Sequence, residues 1–218
     1  METKRKIMVI ARHGKTPNGT DGLSLDSLLP ESVASLYEKA RAEFGDEVVE
    51  YRICPEASFL RHSDKTRTGS TGKAILAGTF RFEPRPERQE DLQNTDFGKI
   101  ETAEDDMLSY ENLRFNEDTV RSLGLPQYLE RWLAQPDAAK YGGVDITPFN
   151  ELLRTRRPCL INAIKLLING NKDLGVLSTH ASIADAAAMI AVNSGRETPV
   201  TRFDEIGGQF EKEDFVGL

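Results

Sequence analysis

Two short, almost wholly apolar runs stand out along the chain, at residues 7–11 and 173–179. Unbroken apolar character over so few residues is typical of strands that are buried on both faces of a parallel sheet. Residues 48–54, VVEYRIC, are rich in β-branched and aromatic residues, stop before Pro55 and predict another strand. The tail from 200 to 215 predicts a last strand pair that turns at Gly207 and Gly208.

Between these predicted strands, apolar residues recur with the periodicity of α-helices. Apolar residues at 33, 36, 37, 40 and 44 share one face of a helix that Gly45 is placed to end. A long helix is predicted to begin with Thr147 as its cap and Pro148 in its first turn, and to run to about Gly170 with a kink at Pro158. Shorter helices are predicted over residues 66–76, 127–133 and 183–192.

This alternation predicts an α/β fold with a mostly parallel central sheet covered on both faces. No internal repeat and no linker divides the chain, so residues 1–218 are expected to form a single domain. Charged residues are dense from 87 to 121, where loops and short helices are expected. The surrounding stretch, residues 80–143, is interpreted as a variable cap or insert.

Net charge, cysteine content and hydropathy limit the binding partners and the cellular location expected of the protein. The 218 residues carry a formal net charge of −7, so the protein as a whole repels nucleic acid and anionic membranes, and neither is expected to bind it. The two cysteines are far apart and match neither a disulfide scaffold nor a zinc motif. Neither a signal peptide nor a membrane-spanning run is evident, so a cytoplasmic protein is expected.

The chemistry centres on two histidines that occupy equivalent places. His13 follows the first predicted strand and His180 follows the strand at 173–179, so both would reach the same edge of the sheet if these strands are neighbours. Arg12 and Gly14 flank His13, while Arg67 lies one turn into a predicted helix. Guanidinium groups bind phosphate oxygens in a bidentate manner, so these residues predict a phosphate site.

Three motifs in order, ARHGKT, SDKTRT and LSTHAS, resemble those of the histidine phosphatase superfamily, the phosphoglycerate mutase-like proteins, in its first branch. The resemblance implies a three-layer α/β/α sandwich and a covalent phosphohistidine on His13. It implies that Arg12 and Arg67 hold the phosphoryl oxygens, that His180 stabilises the transferring group, and that neither metal nor cofactor takes part. The turn at Ala181 would add backbone amides at a helix N-terminus.

One position departs from this family. Its general acid is usually a Glu four residues before a Gly, and the corresponding run LQNTDFG has Asn94 in that place. An amide cannot supply the proton, so Asp96, or less directly Glu101, is the candidate replacement; the alternative for both is an ordinary acidic surface loop. Asn18 lies beside the position of a family phosphate ligand, although a turn in PNGTDG explains it more simply.

Several functions therefore stay open. The main hypothesis is a metal-independent phosphomonoester hydrolase that acts on a phosphorylated small molecule or a phosphoprotein. A phosphate-binding or regulatory protein with little turnover is the alternative, because Asn94 occupies the acid position; phosphoglycerate mutase-type transfer is the second alternative. A zinc hydrolase would need His62 to join the other two histidines. The sequence does not define the substrate or the oligomeric state.

Overall fold

A computed structural model of the protein describes residues 5–17, 26–110, 113–193, 212–213 and 215–217, with the backbone alone at 125, 126 and 216. Its strands are β1 (Ile7–Arg12), β2 (Ser58–His62), β3 (Glu101–Glu104), β4 (Lys140–Tyr141), β5 (Val144–Asp145), β6 (Leu174–Thr179) and β7 (Phe215–Gly217). Its α-helices are α1 (Pro30–Glu50), α2 (Thr66–Thr79), α3 (Gln89–Asn94), α4 (Glu117–Leu123), α5 (Leu125–Ala134), α6 (Phe149–Asn169) and α7 (Ala181–Asn193).

Five strands form the central sheet, in the order β3–β2–β6–β1–β7. The first four are mutually parallel, and β7 runs antiparallel to β1 at the edge. Strands β4 and β5 make a separate short hairpin. The fold is thus α/β with a mostly parallel central sheet flanked by helices, as the alternation in the sequence predicts.

The sheet separates two hydrophobic cores, because successive side chains of a strand point to opposite faces. Met8 and Ile10 of β1 pack into the core formed with α5, α6 and α7, called here the α6 core. Ile7, Val9 and Ala11 pack into the core formed with α1 and α2, called here the α1 core. Both faces of β1 are buried, which explains its unbroken apolar sequence.

The strand predicted at 48–54 is wrong. Helix α1 continues to Glu50, and the second strand is β2, which begins at Ser58. Gly45 does not end the helix, because Phe44 and Val48 on either side of it are buried in the α1 core. Their packing stabilises the helical turns that follow Gly45. The missing side chain of Gly45 leaves room for Arg81, whose Nε lies 2.9 Å from where a Cβ would be.

The other helices follow the sequence pattern more closely. Helix α2 covers the predicted 66–76, α5 covers 127–133, and α7 covers 183–192. Helix α6 begins at Phe149 rather than at a Thr147 cap, because the Thr147 hydroxyl accepts a hydrogen bond from the backbone N–H of Arg114 at 2.9 Å. The predicted turn at 207–208 lies outside the described residues.

Among the described residues, no helix combines the length and the apolar character needed to cross a membrane.

Candidate active site

The carboxyl ends of the parallel strands bring the two histidines together. Strands β1 and β6 are neighbours, with Arg12 paired to Thr179, so the residues that follow each strand are His13 and His180. The backbone N–H of His13 donates to the carbonyl oxygen of Thr179 at 2.9 Å. The two imidazole rings lie edge to face with their centroids 5.2 Å apart.

The ring of His13 is oriented by its own loop. Its Nδ1 lies 2.8 Å from the carbonyl oxygen of Gly14, and a carbonyl only accepts, so Nδ1 carries the proton. Burial lowers the pKa of His13 from 6.5 to about 4; the Gly14 hydrogen bond raises it, and Arg67 and Arg12 lower it further. At neutral pH the imidazole is uncharged, and Nε2 carries a lone pair.

The loop that follows His13 is fixed by close packing. The N–H of Gly14 donates to the Thr71 hydroxyl at 3.0 Å, and that hydroxyl donates to the carbonyl of Arg67 at 2.8 Å. A Cβ at position 14 would lie only 2.2 Å from Oγ of Ser32, which accepts the N–H of Lys15. Glycine is therefore required here by space, and the close approach links His13 to both α1 and α2.

His180 is held by hydroxyl groups from β2 and α2. Ser63 Oγ lies 3.0 Å from Nε2 of His180 and 2.9 Å from Oγ1 of Thr68. The Thr68 proton is directed to a carbonyl, that of Lys65 at 2.6 Å, so Ser63 donates to Thr68 and Nε2 of His180 donates to Ser63. Burial, with His13 next, lowers the pKa of His180 to about 3, so this ring is also neutral.

Positive charge collects around these rings. Arg67 stands in the first turn of α2, where the Asp26 carboxylate accepts its backbone N–H at 3.4 Å and lies 3.8 Å from its guanidinium. Lys212, in the segment before β7, is close enough to the site that burial first, then Arg12 and Arg67, lower its pKa. These cations suit a ligand with two negative charges.

A cavity of about 340 Å³ opens from the histidines to the surface. Its inner end is formed by the strand ends and by the first turn of α7, at Ala181 and Ser182. Its outer end is formed by side chains from the 108–121 region: Tyr110, Phe115, Glu117, Val120 and Arg121. The inner end supplies groups for an anion, whereas the outer end is largely apolar.

Asp96 and Glu101 lie elsewhere. Asp96 and Asn94 line a second, wider cavity of about 920 Å³ between the start of α1 and residues 82–96, which contains neither histidine. Glu101 pairs with Phe59 at the amino end of the sheet, opposite to the edge that bears the histidines, and it forms ion pairs with Arg61 and Lys172. Neither carboxylate lines the cavity that contains the histidines, and we assign the proton donor to neither residue.

Asn18 lies outside the described residues. Ala181 does line the cavity at the start of α7, where the sequence predicts the backbone amides of a helix N-terminus.

His62 is separate from the histidine pair. Its ring packs against α2, within 3.2 Å of where a Cβ of Gly69 would be, and its Nδ1 lies 2.7 Å from the carbonyl of Ser63. Within the ranges that the structure describes, no three His, Cys, Asp or Glu side chains are grouped to hold a metal ion.

Sequence reasoning missed the outer end of the cavity and Lys212. Tyr110 and Phe115 lie in a stretch dense in charge, where their aromatic character is a signal that could have indicated them. Lys212 stands about 200 residues from Arg12 in the sequence, and only the antiparallel pairing of Phe215 with Ala11 brings its segment to the site.

Comparison with solved structures places the fold among known phosphatases. The mycobacterial glucosyl-3-phosphoglycerate phosphatase in complex with VO3 is 16% identical, with a TM-score of 0.54 over 99% of this chain and 90% of that one. The same phosphatase with inorganic phosphate gives 15% identity and 0.52 over 99% and 89%. A protein described as mycobacterial hydrolase 1 gives 14% identity and 0.54 over 98% and 90%.

No protein-family model and no curated protein sequence matches the chain. The structural neighbours show that it has the phosphoglycerate mutase-like fold of the histidine phosphatase superfamily, which is the fold that the three sequence motifs imply.

Proposed function

We propose that this protein is a metal-independent phosphomonoester hydrolase that forms a phosphohistidine intermediate on His13. The observation that carries the proposal is the state of that ring. Its Nδ1 proton is held by the Gly14 carbonyl, and its lowered pKa keeps Nε2 unprotonated beside Arg12 and Arg67. A buried, neutral imidazole next to fixed positive charge is suited to attack a phosphoryl group.

In the first step Nε2 of His13 attacks the phosphorus atom, forming a P–N bond as the bond from phosphorus to the ester oxygen breaks. Arg12, Arg67 and Lys212 offset the negative charge on the phosphoryl oxygens, so catalysis comes mainly from positioning and electrostatics. The departing oxygen leaves with the electron pair of the broken bond and takes a proton from solvent water, which gives the alcohol.

In the second step a water molecule attacks the same phosphorus atom, and the P–N bond returns its electron pair to Nε2. The water gives up a proton to the solvent, which returns the proton taken in the first step, and inorganic phosphate leaves. Two displacements at one histidine complete hydrolysis with no net change in the protein. The neighbours in complex with VO3 and with inorganic phosphate support the class of ligand, since both molecules are of the kind this site would bind.

The question of which group protonates the leaving oxygen leads to a second candidate function. Among the described residues that line the cavity, the only carboxylate is that of Glu117, whose side chain is 78% exposed and pairs with Arg121 at 3.3 Å. A carboxylate that is exposed and paired with a guanidinium is not positioned as a general acid for a leaving oxygen inside the cavity. This favours either slow turnover of poor leaving groups or a phosphate-binding protein that turns over little.

The test is hydrolysis of p-nitrophenyl phosphate after chelator treatment, because this leaving group needs no proton. Wild-type protein should release nitrophenol, and rapid quenching should trap an acid-labile phosphohistidine. His13→Ala should abolish both signals, whereas His62→Gln, which changes the histidine outside the cavity, should keep them. A protein that binds phosphate but shows neither signal is the phosphate-binding alternative, and activity retained in chelated His13→Ala protein contradicts the nucleophile assignment.

A further inference from the structure

The outer end of the active-site cavity is rigidly built from aromatic side chains. The ring of Tyr110 stands edge-on to that of His180, with centroids 4.5 Å apart. The backbone before it is tied down twice. The Thr179 hydroxyl donates to the carbonyl of Leu108 at 2.6 Å, and the buried guanidinium of Arg156 donates to the carbonyl of Ser109 at 3.1 Å. Tyr110 is therefore fixed relative to both β6 and α6.

Phe115 is fixed by a different set of contacts. Its ring packs edge to face against Trp132 at 5.5 Å and Tyr128 at 6.1 Å, both of them buried residues of α5 in the α6 core. The next residue, Asn116, caps α4 through its side chain and donates to the carbonyl of Tyr141. The aromatic surface exists before any ligand binds, so little ordering is needed on binding.

Helix α4 completes this end of the cavity. Glu117, Val120 and Arg121 are spaced i, i+3 and i+4, so they share one face of the helix, and all three line the cavity. Glu117 and Arg121 are paired with each other at 3.3 Å. Their polar atoms are thus engaged with a partner, and Val120 adds an isopropyl group beside them.

The chemistry of this surface discriminates between classes of leaving group. A sugar or polyol needs a hydrogen-bonding partner for most of its hydroxyl groups once they leave water. Of the described side chains around the outer end, only the Tyr110 hydroxyl and the Glu117–Arg121 pair are polar. A flat apolar group needs aromatic and aliphatic contacts instead, and these are what Tyr110, Phe115 and Val120 supply.

We propose that the outer end of the cavity binds the leaving group of an aryl phosphomonoester, with Tyr110 and Phe115 as specificity-determining residues. This inference rests on the proposed function, because the phosphoryl group is placed at His13. It goes beyond that function in assigning the class of alcohol, a phenol or another planar apolar alcohol of small size.

Turnover alone does not test this assignment, because aryl esters react faster for chemical reasons at any site. Binding of phosphonates, which the protein cannot hydrolyse, separates recognition from leaving-group chemistry. We would measure the dissociation constants of methylphosphonate, 2-hydroxyethylphosphonate and benzylphosphonate by calorimetry. Benzylphosphonate should bind about tenfold to a hundredfold more tightly than methylphosphonate, as expected for burying one aromatic ring. The hydroxyethyl compound should gain little.

The variants then locate the binding surface. Phe115→Ala should reduce the benzyl preference to about threefold or less while leaving methylphosphonate binding unchanged, and Phe115→Tyr should keep the preference. Should Phe115→Ala fail to fold, because the ring packs on Trp132, Tyr110→Leu at the exposed side of the cavity tests the same surface. Phe97→Leu, which lies in the α1 core away from the cavity, is the matched control.

The outcomes separate the two proposals. Equal affinity for methyl and benzyl phosphonates, or tighter binding of the hydroxyethyl compound, would overturn the aryl assignment even if p-nitrophenyl phosphate is hydrolysed. A benzyl preference that depends on Phe115 supports it even if no phosphoenzyme forms. A benzyl preference unchanged in both Phe115→Ala and Tyr110→Leu would also overturn it, since the ring would then bind elsewhere.

Discussion

The hydroxyl oxygen of Ser63 lies 3.0 Å from Nε2 of His180, and both residues follow neighbouring parallel strands, β2 and β6. The sheet itself therefore sets this contact. Because Thr68 accepts the Ser63 proton, Nε2 of His180 must donate to the Ser63 oxygen. This hydrogen bond fixes the tautomer of the neutral His180 ring, whose pKa is lowered.

Ser63→Ala should remove that acceptor and leave a buried imidazole N–H unpaired. We expect a loss of roughly 1–3 kcal/mol in the free energy of unfolding. Urea titration measures it, and the rate with p-nitrophenyl phosphate should fall as well. Thr68→Val keeps the shape of the neighbouring side chain and removes its hydrogen bonds to Ser63 and to the Lys65 carbonyl, but it leaves the Ser63 hydroxyl beside His180, so its effect on the rate should be smaller. Equal losses of rate in both variants would show that Ser63 does not act through His180.

The two lowered histidine pKa values predict an acid-sensitive fold. In the unfolded chain each imidazole takes up a proton near pH 6.5, whereas in the folded protein His13 does so near pH 4 and His180 near pH 3. The unfolded state thus binds more protons between these values, so the free energy of unfolding should fall as pH decreases from about 6.5 towards 4. The change should be on the order of a few kcal/mol.

Unfolding by urea at a series of pH values checks this. His180→Asn should have a shallower pH dependence over the same range, because one of the two titrating rings is gone. A slope that is the same in the variant would contradict the assigned cause.

Gly14→Ala should destabilise the protein, because the new methyl group would lie 2.2 Å from Oγ of Ser32 and 3.1 Å from Leu36. Overpacking of this kind costs about 1–3 kcal/mol. Ser32→Ala removes the closest atom, so the double variant should recover part of the loss. A double-mutant cycle of unfolding free energies measures the coupling. Additive effects would mean that the loop has moved away from α1.

Lys212→Ala should weaken phosphate binding without lowering the free energy of unfolding. In the ligand-free protein this ammonium group lies near Arg12, Arg67 and Lys15, so removing it relieves like-charge repulsion and should not lower the free energy of unfolding. Phosphate affinity should decrease about threefold to thirtyfold, as for loss of one charge-assisted contact.

Calorimetry with inorganic phosphate tests the binding effect, and the salt dependence of affinity should weaken with it. Lys99→Ala, which removes a cation paired with Glu56 outside the cavity, is the control. Unchanged phosphate affinity in Lys212→Ala would place the side chain outside the ligand's reach.

The residues that sequence reasoning found are those whose place depends on short-range pattern. His13 and His180 follow buried strands, and a buried strand has a clear apolar signature. Strand β3 has none: Glu101–Glu104 is exposed along its whole length at the edge of the sheet, so no hydrophobic residue marks it. Asn94 and Asp96 line a different cavity from the one that contains the histidines, and no local pattern in the sequence separates the two.

The strand predicted at 48–54 failed for a related reason. Val48, Val49 and Ile53 are common in strands and are also tolerated in helices. Contacts from distant parts of the chain favour the helix, because Val48 packs in the α1 core and Arg81 fills the space beside Gly45. The outer end of the cavity likewise could not be predicted from local sequence patterns. The position of Phe115 depends on its packing against Trp132 of α5, which is distant in the sequence.

The division of the molecule by its sheet has a consequence for how a protein with the proposed function would diverge. His13, Arg67 and their hydroxyl partners are supported from the α1 core, whereas Tyr110 and Phe115 are supported from the α6 core. Under the proposed function, substitutions in α4 and α5 would alter which ester is accepted without displacing the groups proposed to act on phosphorus. Reaction chemistry and substrate choice would then lie on separate layers of the fold, so that one is free to change while the other is kept.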